Sequence, residues 1–338
     1  MVYLLKSVIL VILTSYFTGV LIINSQKTVI STKVTNKFKM KSPKFLKRGD
    51  QIGIVASARS ISNSEIADAV KKIKSNGFEP VFNKNLFCVN NQFAGDDNHR
   101  AAELQDMLDN ERIRAIFFAR GGYGSIRIVD KLDFTQFCKN PKWLVGYSDI
   151  SVFLNHVPNV YDVVTLHGTM PINYPSNTQA SINEMFKILK GEKTTIKFNN
   201  HPLSRPGNLT GEIVGGNLSV LYSMLGSLSF PLTDGKILFI EDVDEYLYHI
   251  DRMMMGLKRA GVFDGLKGMI VGAMTNMNDN LVPFGSTAYD IISSVTDEFD
   301  FPLYFGLPVG HIDNNLPLCF GKKAIIYAED KNLVLSYC

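Results

Sequence analysis

The sequence of 338 residues is poor in cysteine and histidine, and the few that occur are scattered. Its four cysteines have no C-x-x-C spacing, which argues against a disulfide framework and against a thiolate metal site. Its six histidines include no H-E-x-x-H pair, the pattern of a helical zinc site. We therefore expect neither a metal nor any other cofactor, and we expect free thiols.

A strong charge of either sign is also missing. Lysine and arginine (35) exceed aspartate and glutamate (32) by only three, and part of the positive charge lies between residues 33 and 48. No basic stripe with interleaved aromatic residues occurs, which argues against a nucleic-acid partner. Apolar residues, in contrast, make up 46% of the chain, which is enough for two domains and a sizeable core.

Near its start the chain has an apolar segment, residues 8–23, which is followed by the basic segment 33–48. The apolar length lies between that of a signal peptide and that of a membrane span, so both interpretations stay open. A third interpretation is a translation start at Met40. The basic segment favours the cytosolic side for the residues that follow. We expect a cytoplasmic protein, with membrane anchoring or export through residues 8–23 as the alternative.

An apolar run ends abruptly at a serine near the middle of the chain. Residues 143–147 have the pattern of a buried strand, and the apolar residues after Ser148 have helical spacing, so Ser148 lies in a strand-to-helix turn. Such a turn exposes a nucleophilic hydroxyl and offers free N–H groups to an oxyanion. The competing interpretation, a helix cap, is the commoner use of a serine at this position.

A nucleophilic serine needs a base and a third group that orients the base. His311 lies in a loop of Gly, Pro and Asn directly after a short apolar stretch, and Glu241 follows the strand-like run 236–240. Taken singly, a loop histidine is usually an ordinary polar residue, and a glutamate after a strand is usually solvated. Only in combination with Ser148 do they point to nucleophilic catalysis.

Eight short motifs, in order, give the chain a resemblance to the LD-carboxypeptidases, serine peptidases that include the microcin-immunity peptidases. Each motif is weak alone, but together they extend over most of the chain. They are LKRGD at 46–50, ARGGYG at 119–124, GYSD at 146–149, LHG at 166–168, GGNL at 215–218, ED at 241–242, IDR at 250–252 and PVGH at 308–311. The resemblance implies a catalytic triad of Ser148, Glu241 and His311.

The reaction needs donors for an oxyanion and a partner for the terminal carboxylate of the substrate. We expect the donors to be the backbone N–H groups of Asp149, beside the nucleophile, and Gly122, in the glycine loop. The spacing of that loop fits neither a dinucleotide nor a phosphate loop. Arg120 is the candidate for the carboxylate, with a structural salt bridge as its competing use. Asn217 either touches substrate or caps the helix that follows it.

Strands alternate with helices in the first half of the chain, as in a parallel sheet covered on both faces. We predict an α/β fold, with an N-terminal Rossmann- or flavodoxin-like sheet that carries the nucleophile and a C-terminal mixed α/β domain that carries the acid and the base. The predicted divisions are residues 1–39, an apolar segment and basic linker; 40–173, the first domain; 174–206, a linker with one helix; and 207–338, the second domain.

The resemblance implies a serine carboxypeptidase that removes the terminal D-alanine of a murein tetrapeptide or a related small peptide, and it implies a homodimer. Two alternatives stay open. One is a microcin-immunity peptidase that cleaves a peptidyl or aminoacyl adenylate, for which an aromatic stacking platform is expected. Trp143, the single tryptophan, lies inside a predicted strand and does not suit that role. The other is an inactive muropeptide-binding protein.

Overall fold

Strands alternate with helices through the first half of the computed structural model, which describes residues 40–329 and 332–338. The expectations about residues 1–39, including membrane contact through residues 8–23, lie outside the described residues. None of the helices in the described part is both long and apolar enough to span a bilayer. The elements of the first half are β1 (Gln51–Val55), α1 (Ala67–Ser75), β2 (Glu79–Val81), α2 (Asp97–Asp109), β3 (Ile113–Phe118), α3 (Thr135–Lys139), β4 (Trp143–Gly146), α4 (Ser151–Tyr161), β5 (Thr165–His167) and α5 (Gln179–Lys190).

The five strands of this half form a parallel sheet. β3 and β4 are buried along almost their whole length, as expected for strands that are covered by helices on both faces. The order β2-β1-β3-β4-β5 is that of flavodoxin-like doubly wound sheets, in which ligands bind outside the carboxyl ends of the strands. The predicted N-terminal parallel sheet is therefore confirmed.

The second half builds a mixed sheet of seven strands, in the order β10-β9-β8-β7-β12-β13-β6. The elements of this half are β6 (Thr195–Asn199), β7 (Leu209–Asn217), α6 (Leu218–Ser223), β8 (Ile237–Val243), α7 (Leu247–Arg259), β9 (Gly268–Thr275), α8 (Ala288–Val295), β10 (Leu303–Phe305), β11 (Leu318–Phe320), β12 (Lys323–Glu329) and β13 (Asn332–Tyr337). Of these strands, β11 is not part of the seven-stranded sheet. Strands β7 to β10 are parallel, whereas β12, β13 and β6 are antiparallel. This confirms the predicted mixed α/β character of the second half.

Two strands cross the predicted divisions of the chain. β6 lies inside the predicted linker 174–206, yet it pairs with β13 at the edge of the second sheet. Its five residues alternate polar and apolar, and its positions alternate exposed and buried, which is the pattern of a half-buried strand that the predicted linker missed. β11 belongs to the predicted second domain but pairs with β5 of the first sheet. The domain boundaries stay a prediction.

Helix α4, which follows Ser148, is hydrogen bonded to the second sheet. The Asn155 side chain donates to the Gly215 carbonyl at 2.6 Å and accepts from the Gly215 N–H at 2.9 Å. The Ser151 hydroxyl accepts from the Asn217 N–H at 3.1 Å. Because β7 pairs with β8 in a register that sets Asn217 beside Glu241, these bonds hold the predicted acid close to the start of α4.

Candidate active site

Ser148 lies in a short 3-10 turn, Ser148–Ile150, between the end of β4 and the start of α4. Its φ of 63° is in the left-handed region, which costs free energy for a residue other than glycine and is typical of a nucleophile held at a sharp turn. The hydroxyl caps neither the turn nor α4. The structure therefore contradicts the capping interpretation and leaves a half-buried hydroxyl for chemistry.

The glycine loop after β3 contacts the nucleophile through Gly121. A Cβ atom on Gly121 would lie 3.0 Å from Ser148 Cβ and 3.2 Å from Ser148 Oγ, so the backbone of the loop passes directly beside the hydroxyl. Gly122, the predicted donor, has a φ of 106° and lies beneath the Arg59 side chain. Gly121 belongs to the quoted ARGGYG motif but was not predicted as the residue beside the nucleophile, for which the Gly-Gly pair after a buried strand was the available signal.

Asp149 connects the nucleophile turn to the glycine loop through its side chain. Its buried carboxylate accepts a hydrogen bond from the Ser125 N–H at 2.8 Å. Burial raises the pKa of Asp149, and the hydrogen bonds from Ser125 and Gly124 oppose that rise. The Asp149 N–H lies in the first turn of a helical segment, where no carbonyl of that segment accepts it. This position suits the predicted oxyanion donor, which stays a prediction.

Glu241 and His311 form a hydrogen-bonded pair, with 2.6 Å between Glu241 Oε2 and His311 Nδ1. Glu241 is fully buried near the carboxyl end of β8, and His311 lies in the loop that follows β10. The loop approaches this closely because residue 310 is glycine. Gly310 has a φ of 126°, and a Cβ atom there would lie only 2.8 Å from Glu241 Oε2.

Glu241 and His311 each shift the pKa of the other toward the charged form. Burial raises the pKa of Glu241, but the charge and hydrogen bond of His311 outweigh burial and hold that pKa below its usual value. Burial lowers the pKa of His311, but the Glu241 carboxylate outweighs burial and holds the pKa above its usual value. Burial and the charge of Glu241 raise the pKa of the adjacent Asp242 to about 7. Glu241 is therefore ionised at neutral pH and stabilises the imidazolium form of His311.

His311 packs against the turn that carries Ser148 through the ring of Tyr147. The centroids of the two rings are 4.9 Å apart, edge to face, and Tyr147 directly precedes Ser148. Because Glu241 holds Nδ1, Nε2 is the ring nitrogen that remains for the hydroxyl. Within residues 40–329 and 332–338 no hydrogen bond joins Ser148 and His311, and such bonds commonly tighten only in the substrate complex.

Asn217 and Arg120 both make the structural contacts that were their competing interpretations. Asn217 caps α6, because its Oδ1 accepts from the Val220 N–H at 3.1 Å, and its Nδ2 donates to Asp242 at 2.8 Å. The guanidinium of Arg120 lies 3.5 Å from the Glu65 carboxylate and donates to a backbone carbonyl at residue 60. Direct contact of Asn217 or Arg120 with substrate stays a prediction.

No group of three or more His, Cys, Asp or Glu side chains is placed to hold a metal ion in the part of the chain that the structure describes. All four cysteines are free. The Glu241–His311 pair beside the turn that carries Ser148 supports the chemistry of a serine activated by an acid–histidine pair, and these roles stay a prediction.

The chain is similar to known proteins over most of its length. Two family models match it, the LD-carboxypeptidase N-terminal domain at residues 52–168 and the LD-carboxypeptidase C-terminal domain at residues 210–326. A probable murein peptide carboxypeptidase of Bacillus subtilis is 30% identical over 87% of this chain and 93% of that protein. The microcin self-immunity protein MccF of Escherichia coli is 26% identical over 85% of this chain and 93% of that protein. The crystal structure of a muramoyltetrapeptide carboxypeptidase from Oxalobacter formigenes superposes with a TM-score of 0.76 at 25% identity, covering 85% of this chain and 98% of that one.

Proposed function

The chain belongs to the LD-carboxypeptidase family of serine-type carboxypeptidases, and we propose that it releases the terminal D-alanine of a murein tetrapeptide. The observation that carries the proposal is the buried Glu241–His311 pair, packed through Tyr147 against the turn that bears Ser148. Relatives that share most of the chain's length are named for murein peptides, including the murein tetrapeptide carboxypeptidase of Pseudomonas aeruginosa, at 26% identity over 82% of this chain and 92% of that protein.

In the proposed reaction, the Ser148 hydroxyl attacks the carbonyl carbon of the bond to D-alanine while His311 Nε2 takes its proton. Glu241, bonded to Nδ1, holds the ring and stabilises the imidazolium that forms. His311 then gives the proton to the nitrogen of the leaving D-alanine. Water, activated by the same histidine, hydrolyses the acyl-enzyme and regenerates the Ser148 hydroxyl.

The oxyanion of each tetrahedral intermediate would lie between the turn and the glycine loop. The N–H groups of Asp149 and Gly122 are the proposed donors, because Gly121 already packs against the nucleophile and Asp149 is bonded to Ser125. Donors that are held in place in this way stabilise the developing charge without having to reorganise. Such stabilisation is usually the largest single contribution to this kind of catalysis.

The terminal carboxylate of the substrate would be bound by Arg120, which follows β3 at the sheet edge that also bears Ser148. The present partner of Arg120 is Glu65, and both side chains are about a third exposed, at 30% and 38%. Because partly exposed ion pairs contribute little stability, a substrate carboxylate can replace Glu65 at small cost.

The experiment is release of D-alanine from murein tetrapeptide, followed by mass spectrometry of both products. We expect the wild type to yield tripeptide and D-alanine, and Ser148→Ala to lower kcat by at least about 10⁴-fold with an unchanged melting temperature. Ser75→Ala, which alters an exposed serine of α1, is the matched control and keeps full activity. A folded wild type that releases no D-alanine would overturn the proposal.

Neither alternative predicts release of D-alanine from the tetrapeptide, and each predicts a different result of its own. Cleavage of a peptidyl adenylate in place of the tetrapeptide would favour the immunity function. Trp143 does not support that function, because its ring is buried and its Nε1 donates to the Lys44 carbonyl. Binding of tetrapeptide without turnover would favour the inactive binding protein, against which the formed Glu241–His311 pair argues.

We also propose that the chain acts as a cytoplasmic homodimer, as family resemblance implies. Light scattering of the purified full chain tests the assembly, and fractionation of cells tests the location. A monomer at working concentrations, or recovery in the membrane fraction, would contradict the respective proposal.

A further inference from the structure

His167 lies behind the triad, and the proposed reaction does not use it. It is the last residue of β5, it is fully buried, and its register partner on β4 is Gly146. Its ring packs 5.4 Å from the ring of Tyr147 and 5.7 Å from that of Phe239, measured between centroids. The ring of Tyr147, the residue before the nucleophile, therefore lies against both His167 and His311.

A hydrogen-bond chain runs from His167 to the loop that carries His311. His167 Nε2 lies 3.1 Å from Asn315 Oδ1, and the same oxygen accepts from the Gly310 N–H at 2.9 Å. A backbone N–H can only donate, so the atom of Asn315 that it faces is the oxygen. His167 Nε2 must therefore carry the hydrogen of a neutral ring, and burial, which lowers the pKa of His167 to about 4, keeps the ring neutral.

We propose that His167 and Asn315 form a positioning pair, which fixes the Gly310 peptide and thereby sets His311 at its working distance from Ser148. The part of this inference that concerns Ser148 rests on the proposed function. Ser148 follows β4 and His167 ends the neighbouring strand β5, so the pair couples the nucleophile's own sheet to the loop of the base.

The two ring nitrogens of His167, one unpaired and one bonded to Asn315, argue against a side chain that only fills space. Neither His167 Nδ1 nor Glu241 Oε1 has a hydrogen-bond partner among the residues described, and leaving buried polar atoms unpaired costs free energy. A leucine would fill the same apolar surroundings without that cost. The imidazole is therefore explained by what its other nitrogen holds in place.

The residues that directly follow His311 have separate supports, so we expect loss of His167 to loosen the loop at Gly310, before His311. Asn177 Nδ2 donates to the carbonyls of Ile312 and Asp313, and the Thr178 N–H donates to the Asp313 carbonyl at 2.8 Å. These bonds do not involve His167. We therefore expect a folded loop with a displaced His311 in the variant, rather than an unfolded segment.

The test compares His167→Leu with His167→Gln, whose side-chain amide can donate to Asn315 Oδ1 as Nε2 does. We expect His167→Leu to lower kcat for D-alanine release by about 10- to 100-fold, as for a misplaced catalytic group, with KM changed less than about threefold. His167→Gln should recover most of kcat. Equal kcat in wild type and His167→Leu, or an equal loss in both variants, would overturn the proposal.

Two NMR measurements judge the positioning pair independently of turnover. The groups that face His311 are Glu241, Asp242, Tyr147 and His167, and the carboxylate of Glu241 raises the His311 pKa. A displaced His311 loses part of that rise, so we expect its titration midpoint to fall in His167→Leu and to return in His167→Gln. An unchanged midpoint in His167→Leu contradicts the pair.

The second measurement uses only the wild type, so it remains decisive if a variant does not fold. Nitrogen shifts should show His167 neutral with hydrogen on Nε2, and hydrogen on Nδ1 would overturn the pair. If the wild type releases no D-alanine, the proposed function fails, while the His311 titration and the His167 tautomer still decide whether the pair holds the loop.

Discussion

The substitution Gly121→Ala tests whether the glycine loop passes directly beside the nucleophile. Carbon atoms pack comfortably at about 3.5 to 4.0 Å. A methyl group on residue 121 would begin 3.0 Å from Ser148 Cβ and 3.2 Å from Oγ, so either the loop or the serine must move by several tenths of an ångström. Gly121 has no left-handed φ, so an alanine there adds crowding without backbone strain.

The expected loss follows from the size of that displacement. A misplacement of about 1 Å costs a reaction roughly 100-fold, so several tenths of an ångström should lower kcat by about 5- to 30-fold. Overpacking costs about 1 to 3 kcal/mol, and the reduced entropy of the unfolded chain offsets about 0.4 to 1 kcal/mol of it. The folded protein should therefore survive the change.

The assay is steady-state release of D-alanine, with urea unfolding measured on the same samples. Gly211→Ala is the matched control, because a Cβ atom there would lie 3.1 Å from Ile237 Cγ1, in a similarly crowded position at the start of β7 and without a left-handed φ. We expect both variants to lose similar stability and only Gly121→Ala to lose kcat. Equal kcat in the two variants would refute the placement of the loop.

Three further predictions concern the acid, the base and the cap. Glu241→Gln keeps the shape but removes the charge that orients His311, so we expect kcat to fall by about 10⁴-fold in a folded protein, and a loss under about tenfold would contradict this role. His311 acts as a base only when it is neutral, and Glu241 raises its pKa above the usual value of about 6.5. We therefore expect kcat/KM to fall as the pH is lowered, with a midpoint above about 6.5. A midpoint below that value in the pH profile would contradict the coupling to Glu241. Asn217→Ala removes a helix cap and a partner of buried Asp242, so urea unfolding should show a loss of about 1 to 3 kcal/mol, and lost activity without lost stability would instead indicate a substrate contact.

The strand-to-helix turn at Ser148 could be predicted because its signals are local. A buried apolar run that stops at a polar residue, followed by helical spacing, is visible in a short stretch of sequence. The positions of Glu241 and His311 after apolar stretches were visible in the same way. Their pairing was not visible in local patterns, because it joins residues 70 positions apart, and only the family resemblance implied it.

Contacts that join distant segments could not be predicted from local patterns. The alternation of polar and apolar residues in β6 indicates a strand, but the sequence pattern does not show that its partner is β13. For Asn217 and Arg120 the sequence left two uses open, since their structural partners Asp242 and Glu65 lie far along the chain, and contact with substrate stays a prediction. His167 was visible only as part of a motif, because its partner Asn315 lies 148 residues further on.

The most direct test of the account is covalent labelling of the full chain with a serine-directed fluorophosphonate, followed by peptide mass spectrometry. We predict one adduct on Ser148, no adduct in Ser148→Ala and slow labelling in Glu241→Gln. An enzyme that releases D-alanine while Ser148 stays unlabelled, or that keeps its activity in Ser148→Ala, would contradict the assignment of Ser148 as the nucleophile.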